Sequence, residues 1–222
     1  MSRVDYRPIP IEQQDFYGSN HSLLKPQKIE SAKMIYDNAW FDRKAMDDKR
    51  ELLRHFLAAL AYRTQKALRD APDGFGDFRA PEGTRTPSEL VRHMTSVLGY
   101  ARTFFTGGKY WPDALSSLPE EVVRFHEVLE DLGRHIESGN PFREGVTEER
   151  LLQGPLSDAM THAGQLAMLR RLAGVPVAPE NFVFADITSA RLGAEQAEPA
   201  QPDETWAEAP EGWLPPSQRK NG

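Results

Sequence analysis

The stretch LLQGPLSDAMTHAGQLAMLRRLAG, from Leu151 to Gly174, sets the narrowest limits on the fold because both of its ends carry helix signals. Pro155 suits a first helical position, where its missing N–H is no loss. Gly174 follows the last apolar residue, where a left-handed cap ends many helices, and Pro176 comes shortly after it. The sequence therefore predicts a helix over this stretch.

Within this predicted helix, spacings of four and three place five residues on one face: Asp158, His162, Leu166, Leu169 and Ala173. The face is apolar toward its C-terminal end and carries a carboxylate and an imidazole near its N-terminal end. Asp158 and His162 are one turn apart, so both side chains can reach the same point beside the helix. A helix face whose pattern predicts burial, and which also presents two possible metal ligands, needs an explanation.

Composition restricts the class of protein. The 222 residues, 39% hydrophobic and 27% charged, suit a soluble globular protein with one sizeable domain and extensions, or at most two small domains. A net charge of −6 without a basic run argues against nucleic acid as a partner. With no cysteine, a disulfide framework and a thiolate nucleophile are excluded. We find no signal peptide, and no apolar stretch approaches the length of roughly 20 residues that a membrane-spanning helix needs. We therefore expect a cytoplasmic protein without a membrane partner.

Three further amphipathic helices are predicted upstream, over about residues 46–70, 86–107 and 118–138. The second of these opens with a capping box, Thr86-Pro87-Ser88-Glu89. Four such helices are typical of an all-α four-helix bundle. We assign residues 1–45 to an N-terminal arm, residues 46–175 to the bundle and residues 176–222 to an irregular tail, rich in proline and tryptophan, that packs on the bundle or on a partner subunit.

The arm is expected to start extended, to form a short helix opening at Pro26, and to be anchored by Tyr36, Trp40 and Phe41. Among the histidines of the bundle, His93 lies on the inward face of its helix. Three others lie off the apolar stripes of their helices, and we interpret them as surface or solvent-facing residues: His55, His126 and His135.

The candidate metal ligands are therefore His93, Asp158 and His162. Helical bundles build metal sites from side chains on facing helices, and two imidazoles with one carboxylate can hold a divalent ion and leave positions open. Other interpretations stay open: a core histidine with one satisfied hydrogen bond, an aspartate favoured by the helix dipole, or a plain Asp–His hydrogen bond. Helix periodicity does not show that His93 faces the other two.

Other catalytic motifs are missing from the sequence. It contains no glycine-rich phosphate loop with the required spacing, no G-x-S-x-G nucleophile elbow and no Glu-x-x-His pair of the di-iron type. No residue is an obvious separate general base. The polar trio is thus the main candidate for chemistry.

Two segments, TPSELVRHMTSVLGYARTFFTG and LLQGPLSDAMTHAGQLAMLRRLAG, resemble the DinB-like superfamily, which includes the YfiT-type metal-dependent enzymes. The resemblance covers about residues 46–175, and NFVFADI at 181–187 is similar to relatives with this tail. It implies a four-helix bundle with a long crossover, commonly a homodimer. It also implies a three-histidine metal site, with one ligand on the second helix and a His-x-x-x-His pair, followed by Gly-Gln, on the last.

Carried over to this chain, the second-helix ligand falls on His93 and the second histidine of the pair on His162. Gly164-Gln165 stands in the expected place after it, so Gln165 is the expected support of the ligands. Asp158 replaces the first histidine of the pair. An aspartate can ligate the same metals, but its negative charge favours harder ions, and the replacement also fits a site that has lost its metal.

The resemblance implies zinc or nickel, with manganese or iron as alternatives. It implies a thiol-dependent S-transferase, or an isomerase- or hydrolase-like enzyme, that acts on a small molecule with a low-molecular-weight thiol such as bacillithiol, mycothiol or glutathione. The loops at 71–85 and 107–117 are expected to shape the pocket mouth with four aromatic residues: Phe75, Phe78, Tyr110 and Trp111. The alternative is a non-enzymatic stress-related protein, either a small-ligand binder or a dimeric scaffold, with a decayed metal site.

Overall fold

The computed structural model describes residues 30–81, 83–200, 203, 205–207, 209, 211–214 and 218, with the backbone alone for 30–43 and 45. The predicted extended start of the arm, the helix opening at Pro26, and the side-chain anchors Tyr36, Trp40 and Phe41 lie outside this description. The chain divides into two compact units, Met1–Trp40 and Phe41–Gly222. All side-chain contacts given below belong to the second unit.

The described part of the chain is helical and contains no strand. Its helices, in chain order, are α1 (Glu30–Leu68), α2 (Pro87–Thr106), α3 (Leu118–Glu137), the single turn α4 (Glu148–Leu151) and α5 (Ser157–Leu172). Short 3-10 turns occupy Phe75–Asp77 and Phe182–Phe184. Four long helices of this kind are consistent with the predicted helical bundle. Across the described residues, no helix combines the length and apolar character that crossing a membrane requires.

α1 begins well before the predicted start near residue 46. No proline or glycine occurs between Glu30 and Leu68, so nothing in this stretch interrupts the backbone hydrogen bonds of the helix. The predicted boundary between the arm and the first helix therefore falls inside a continuous helix. The chain leaves the helix through Asp70, whose φ of 53° lies in the left-handed region that ends many helices.

α2 begins where the capping box predicted. Thr86 Oγ1 accepts a hydrogen bond from the Glu89 backbone N–H at 3.2 Å, and the Glu89 carboxylate accepts one from the Thr86 N–H at 2.8 Å. Two backbone donors that the helix leaves without a partner are thus satisfied, and Pro87 occupies the first turn.

The core lies between the apolar faces of the four long helices. α2 packs against both α3 and α5. Most of the fully buried side chains are leucines and other aliphatic residues from all four helices, including Leu57, Leu60, Met94, Leu98, Leu129, Leu132, Ile136 and Leu166. Burying each such side chain contributes about 1.5–3 kcal/mol to stability, so this core fixes which faces of α2 and α5 meet.

The last helix does not begin at Pro155, contrary to the sequence prediction. Helical structure starts at Glu148, behind the N-cap Thr147, and a π-helical turn at Leu152–Leu156 interrupts it. Pro155 has no N–H to donate, which removes one regular helical hydrogen bond. Ser157 Oγ donates to the Leu152 carbonyl at 2.7 Å. The turn ends directly before the part of α5 that carries the candidate ligands, and π-helical turns often occur at functional sites.

Segment 176–200 packs along α1 and α3. His126 Nδ1 donates to the Leu192 carbonyl at 2.8 Å, and Gln65 donates to the Ala194 carbonyl at 2.7 Å. His126 is only 4% exposed, so its prediction as a solvent-facing residue is wrong. The face of α3 beside its apolar stripe is covered by a distant part of the chain, which the periodicity of α3 alone does not reveal.

Candidate metal centre

The packing of α2 on α5 brings the three predicted ligands together. The ligand atoms of His93, Asp158 and His162 all lie within 4.8 Å of one another. The two imidazole rings meet edge to face, with centroids 4.7 Å apart and an interplanar angle of 74°. The group could therefore hold a metal ion.

The orientation of His162 is fixed by Gln165. His162 Nδ1 lies 2.8 Å from Gln165 Oε1, and because an amide oxygen can only accept, Nδ1 carries the proton. In the neutral ring the lone pair is then on Nε2. That atom is buried and has no hydrogen-bond partner among the described residues. A buried nitrogen with a free lone pair is costly unless it binds a proton or a metal ion.

Asp158 faces the same nitrogen. Its Oδ1 lies 3.3 Å from His162 Nε2. Two atoms that only accept are thus placed side by side, an arrangement that a cation between them would stabilise. Donor atoms around a tetrahedral zinc ion lie roughly 3–3.5 Å apart, given bonds of about 2.0–2.1 Å, so this pair already has a suitable spacing.

His93 supplies the third donor, and its surroundings keep it neutral. Burial lowers the pKa of His93 below its ordinary value of 6.5, the positive charge of Arg85 and the neighbouring His162 lower it further, and Asp158 opposes them. A neutral imidazole is the form that binds a metal. The Asp158 side chain is 51% exposed, so the group is open to solvent on that side.

An open groove of about 600 Å³ lies beside the trio. Its lining includes Gln165, which holds His162, and Arg85, whose charge acts on His93. Apolar residues such as Leu90 and Met168 complete its walls. Sequence reasoning missed Arg85, although its position directly before the N-cap Thr86 places a positive charge near the start of the helix that carries His93.

The four aromatic residues predicted at the pocket mouth occupy different surroundings. Phe75 is 3% exposed and belongs to the hydrophobic core. Its loop forms a 3-10 turn that buries the ring. Phe78 is partly buried against the core, Tyr110 packs against Gly99 of α2, and Trp111 is 83% exposed. A role for any of these four residues at the pocket mouth stays a prediction.

No family model, no curated protein and no solved structure matches the chain. The interpretation of the site therefore depends on the residues themselves. Their arrangement meets three requirements of a metal centre, namely two imidazole nitrogens and one carboxylate in one place, a buried nitrogen without a partner, and a neighbouring residue that orients it.

Proposed function

We propose that this chain is a DinB-like protein that binds a divalent metal ion through His93, Asp158 and His162, and that it is a metal-dependent enzyme acting on a small molecule. The observation that carries the proposal is the buried Nε2 of His162, which has no hydrogen-bond partner and lies 3.3 Å from Asp158 Oδ1. Family membership, with its long-crossover bundle, rests on the resemblance of the two sequence segments.

A purely structural Asp–His pair explains the contacts less well. Such a pair needs a proton on Nε2, while the hydrogen bond to Gln165 already needs one on Nδ1. Only a ring that carries both protons would satisfy the two contacts, yet Nε2, at 3.3 Å from Asp158 Oδ1, forms no hydrogen bond with it. A metal ion satisfies Nε2 and Asp158 together without protonating the ring.

The donor set favours particular ions. Imidazole nitrogen suits zinc and nickel, which we propose as the first candidates, while the carboxylate makes manganese and iron suitable alternatives. When bound, such an ion supplies Lewis acidity, which polarises a carbonyl or lowers the pKa of a thiol or water beside it. Gln165 orients His162, and the exposed side of Asp158 leaves room for a substrate.

The reaction class that we propose is thiol-dependent S-transfer, with isomerase- or hydrolase-like chemistry as its close relatives. In S-transfer the thiol sulfur forms a bond to an electrophilic carbon, the leaving group departs with its electron pair, and the thiol proton is released to solvent. Arg85, in the wall of the groove beside the trio, is placed to attract the negative part of such a substrate.

The first test is the metal content of protein purified without a histidine tag, measured by elemental mass spectrometry. We expect about one ion per chain, lost in His93→Ala, Asp158→Ala and His162→Ala. His55→Ala is the matched control, because His55 is exposed on α1. A parent protein that stays metal-free after incubation with zinc, nickel, manganese and iron would show that the site has decayed, and would favour the non-enzymatic small-ligand or scaffold alternative.

The second test addresses the reaction. Metal-loaded protein is incubated with glutathione, bacillithiol or mycothiol and a panel of electrophiles such as an epoxide, an alkyl halide and an activated aryl halide. We expect thioether formation that His162→Ala abolishes. Bound metal without any thioether product would reject S-transfer while keeping the metal site.

The resemblance also implies a homodimer, which multi-angle light scattering of the full chain tests directly.

A further inference from the structure

A second pocket, of about 280 Å³, lies on another side of α5. It is bounded by α1, by α5 and by the segment from Pro176 to Phe182. The helices contribute to its floor the small apolar side chains Ala67, Ala163 and Ala167, together with Gly164, and Met168 also lines the pocket. The small size of the three alanine side chains leaves room for the apolar body of a small ligand.

The walls of this pocket carry an excess of positive charge. Arg63, Lys66 and Arg171 line it, against the single carboxylate of Glu180. The Glu180 side chain is fully buried and accepts hydrogen bonds from Tyr62 Oη at 2.7 Å and from Lys66 Nζ at 2.9 Å. Lys66 therefore neutralises Glu180.

Arg63 is the cation that this arrangement leaves available. Its guanidinium carbon lies 3.8 Å from the centroid of the Phe182 ring, which holds it over the pocket by a cation–π contact. No carboxylate forms a salt bridge with it among the described residues, and the nearest negative charge acting on it, Glu180, is already paired with Lys66. A stacked guanidinium keeps its N–H groups free for a planar anion.

From these contacts we propose that this pocket binds a small organic acid, with its carboxylate on Arg63 and its compact apolar body on the alanine floor. The volume suits a body about the size of a benzene ring, which fits an apolar cavity of roughly 150 Å³. The proposal does not depend on the metal site, although Ala163 and Gly164 directly follow His162 in the chain.

The test is isothermal titration calorimetry of the full chain with three probes: benzoate, benzamide and acetate. Benzoate is expected to bind best, because benzamide lacks the charge and acetate lacks the apolar body. Arg63→Gln is expected to weaken benzoate binding about tenfold or more, as the loss of a charged hydrogen bond does. Ala167→Leu, which fills the floor, is expected to abolish binding while circular dichroism shows the helical content retained.

Lys109→Gln provides the matched control, because Lys109 is an exposed cation on a loop that does not line the pocket. It should bind benzoate as the parent protein does. Equal weakening in Arg63→Gln and Lys109→Gln would mean that only overall charge matters, and would overturn the proposal. So would equal binding of benzoate and benzamide, or no benzoate binding at millimolar concentration. Each of these outcomes can occur whether or not the chain binds metal, so the two proposals fail separately.

Discussion

Gln165 Oε1 accepts a hydrogen bond from His162 Nδ1 at 2.8 Å, and the two residues are three positions apart on α5. This spacing places Gln165 on the adjacent turn, so one helix supplies both the candidate ligand and the group that sets its tautomer. The bond leaves Nε2 as the free nitrogen, beside Asp158 and His93. The tautomer of the candidate ligand therefore depends on a residue that is not itself one of the candidate ligands.

We expect Gln165→Ala to weaken metal binding 10- to 100-fold, the usual effect of removing a residue that orients a ligand. Competition with a zinc-sensitive chelator measures the change. Gln165→Glu should keep most of the affinity, because a carboxylate also accepts from Nδ1, and Gln153→Ala on the exposed π-turn is the control. Parent-like affinity in Gln165→Ala, in protein where His162→Ala abolishes binding, would show that Gln165 does not orient the ligand.

Arg170 closes the end of α1. Its side chain is 5% exposed and donates to the Arg69 carbonyl at 2.8 Å, the Val175 carbonyl at 2.9 Å and the Ala67 carbonyl at 3.2 Å. A lysine ammonium has fewer N–H donors than a guanidinium, and they point in other directions, so it does not reach all these carbonyls at once. Some of the carbonyls would then stay buried without a hydrogen-bond donor. We expect Arg170→Lys to lower the free energy of unfolding by about 2–4 kcal/mol in urea titrations.

The control for that measurement is Arg79→Lys, an exposed loop position where the exchange should change stability by less than about 0.5 kcal/mol. If Arg170→Lys also lowers the free energy of unfolding by less than about 0.5 kcal/mol, water replaces the arginine as the donor to these carbonyls.

Tyr110 packs directly on the backbone of α2 at Gly99. A Cβ added at Gly99 would overlap the Tyr110 ring, so Gly99→Ala should destabilise the protein by about 1–3 kcal/mol, as overpacking does. In a Tyr110→Ala background the same change should be neutral or stabilise by up to about 1 kcal/mol, because alanine favours a helix interior more than glycine does. Thermal unfolding of the four proteins measures the coupling. A Gly99→Ala effect that is the same in both backgrounds would contradict the close packing.

His126 should make stability depend on pH. Burial lowers its pKa below the ordinary value of 6.5, and the hydrogen bond to Leu192 and the charge of Glu130 only partly oppose this. The unfolded chain then binds more protons than the native protein below about pH 6.5, so stability falls as the pH falls through this range. His126→Asn keeps a donor for the Leu192 carbonyl but does not titrate, and is expected to flatten this fall.

Urea unfolding at pH 7.5, 6.5 and 5.5 in the presence of a chelator measures the effect, with the conditions chosen to bracket the ordinary histidine pKa. His55→Asn is the control, since it makes the same exchange at an exposed position on α1. If His126→Asn and the parent protein lose stability in parallel, other groups cause the pH dependence.

The sequence predicted those parts of the fold that depend on neighbouring residues. The capping box at Thr86 and Glu89 is present as predicted, and Gly174, with a φ of 77°, takes the left-handed conformation expected after the last helix. The predicted face of α5 is also largely correct, because His162, Leu166 and Leu169 are buried. These features depend on hydrogen bonds and side-chain spacings within one or two helical turns. The sequence of each segment is therefore enough to predict them.

Errors arose where other parts of the chain intervene. Local signals placed the start of the last helix at Pro155, but a π-helical turn accommodates this proline within a longer helical segment. The periodicity of α3 predicts a solvent-facing His126, although segment 176–200 covers it.

Spacing alone could bring Asp158 and His162 to one point, since both lie on one helix, and the resemblance suggested His93 as their partner. Only the packing of α2 on α5 brings His93 to within 4.8 Å of them, and only the fold of segment 176–182 encloses Arg63 and Glu180 in a common pocket. Helix formation depends on interactions within a few residues, which a sequence displays directly. Which two helix faces pack against each other depends instead on many side-chain contacts that form at the same time. This choice is therefore decided only when the whole core forms.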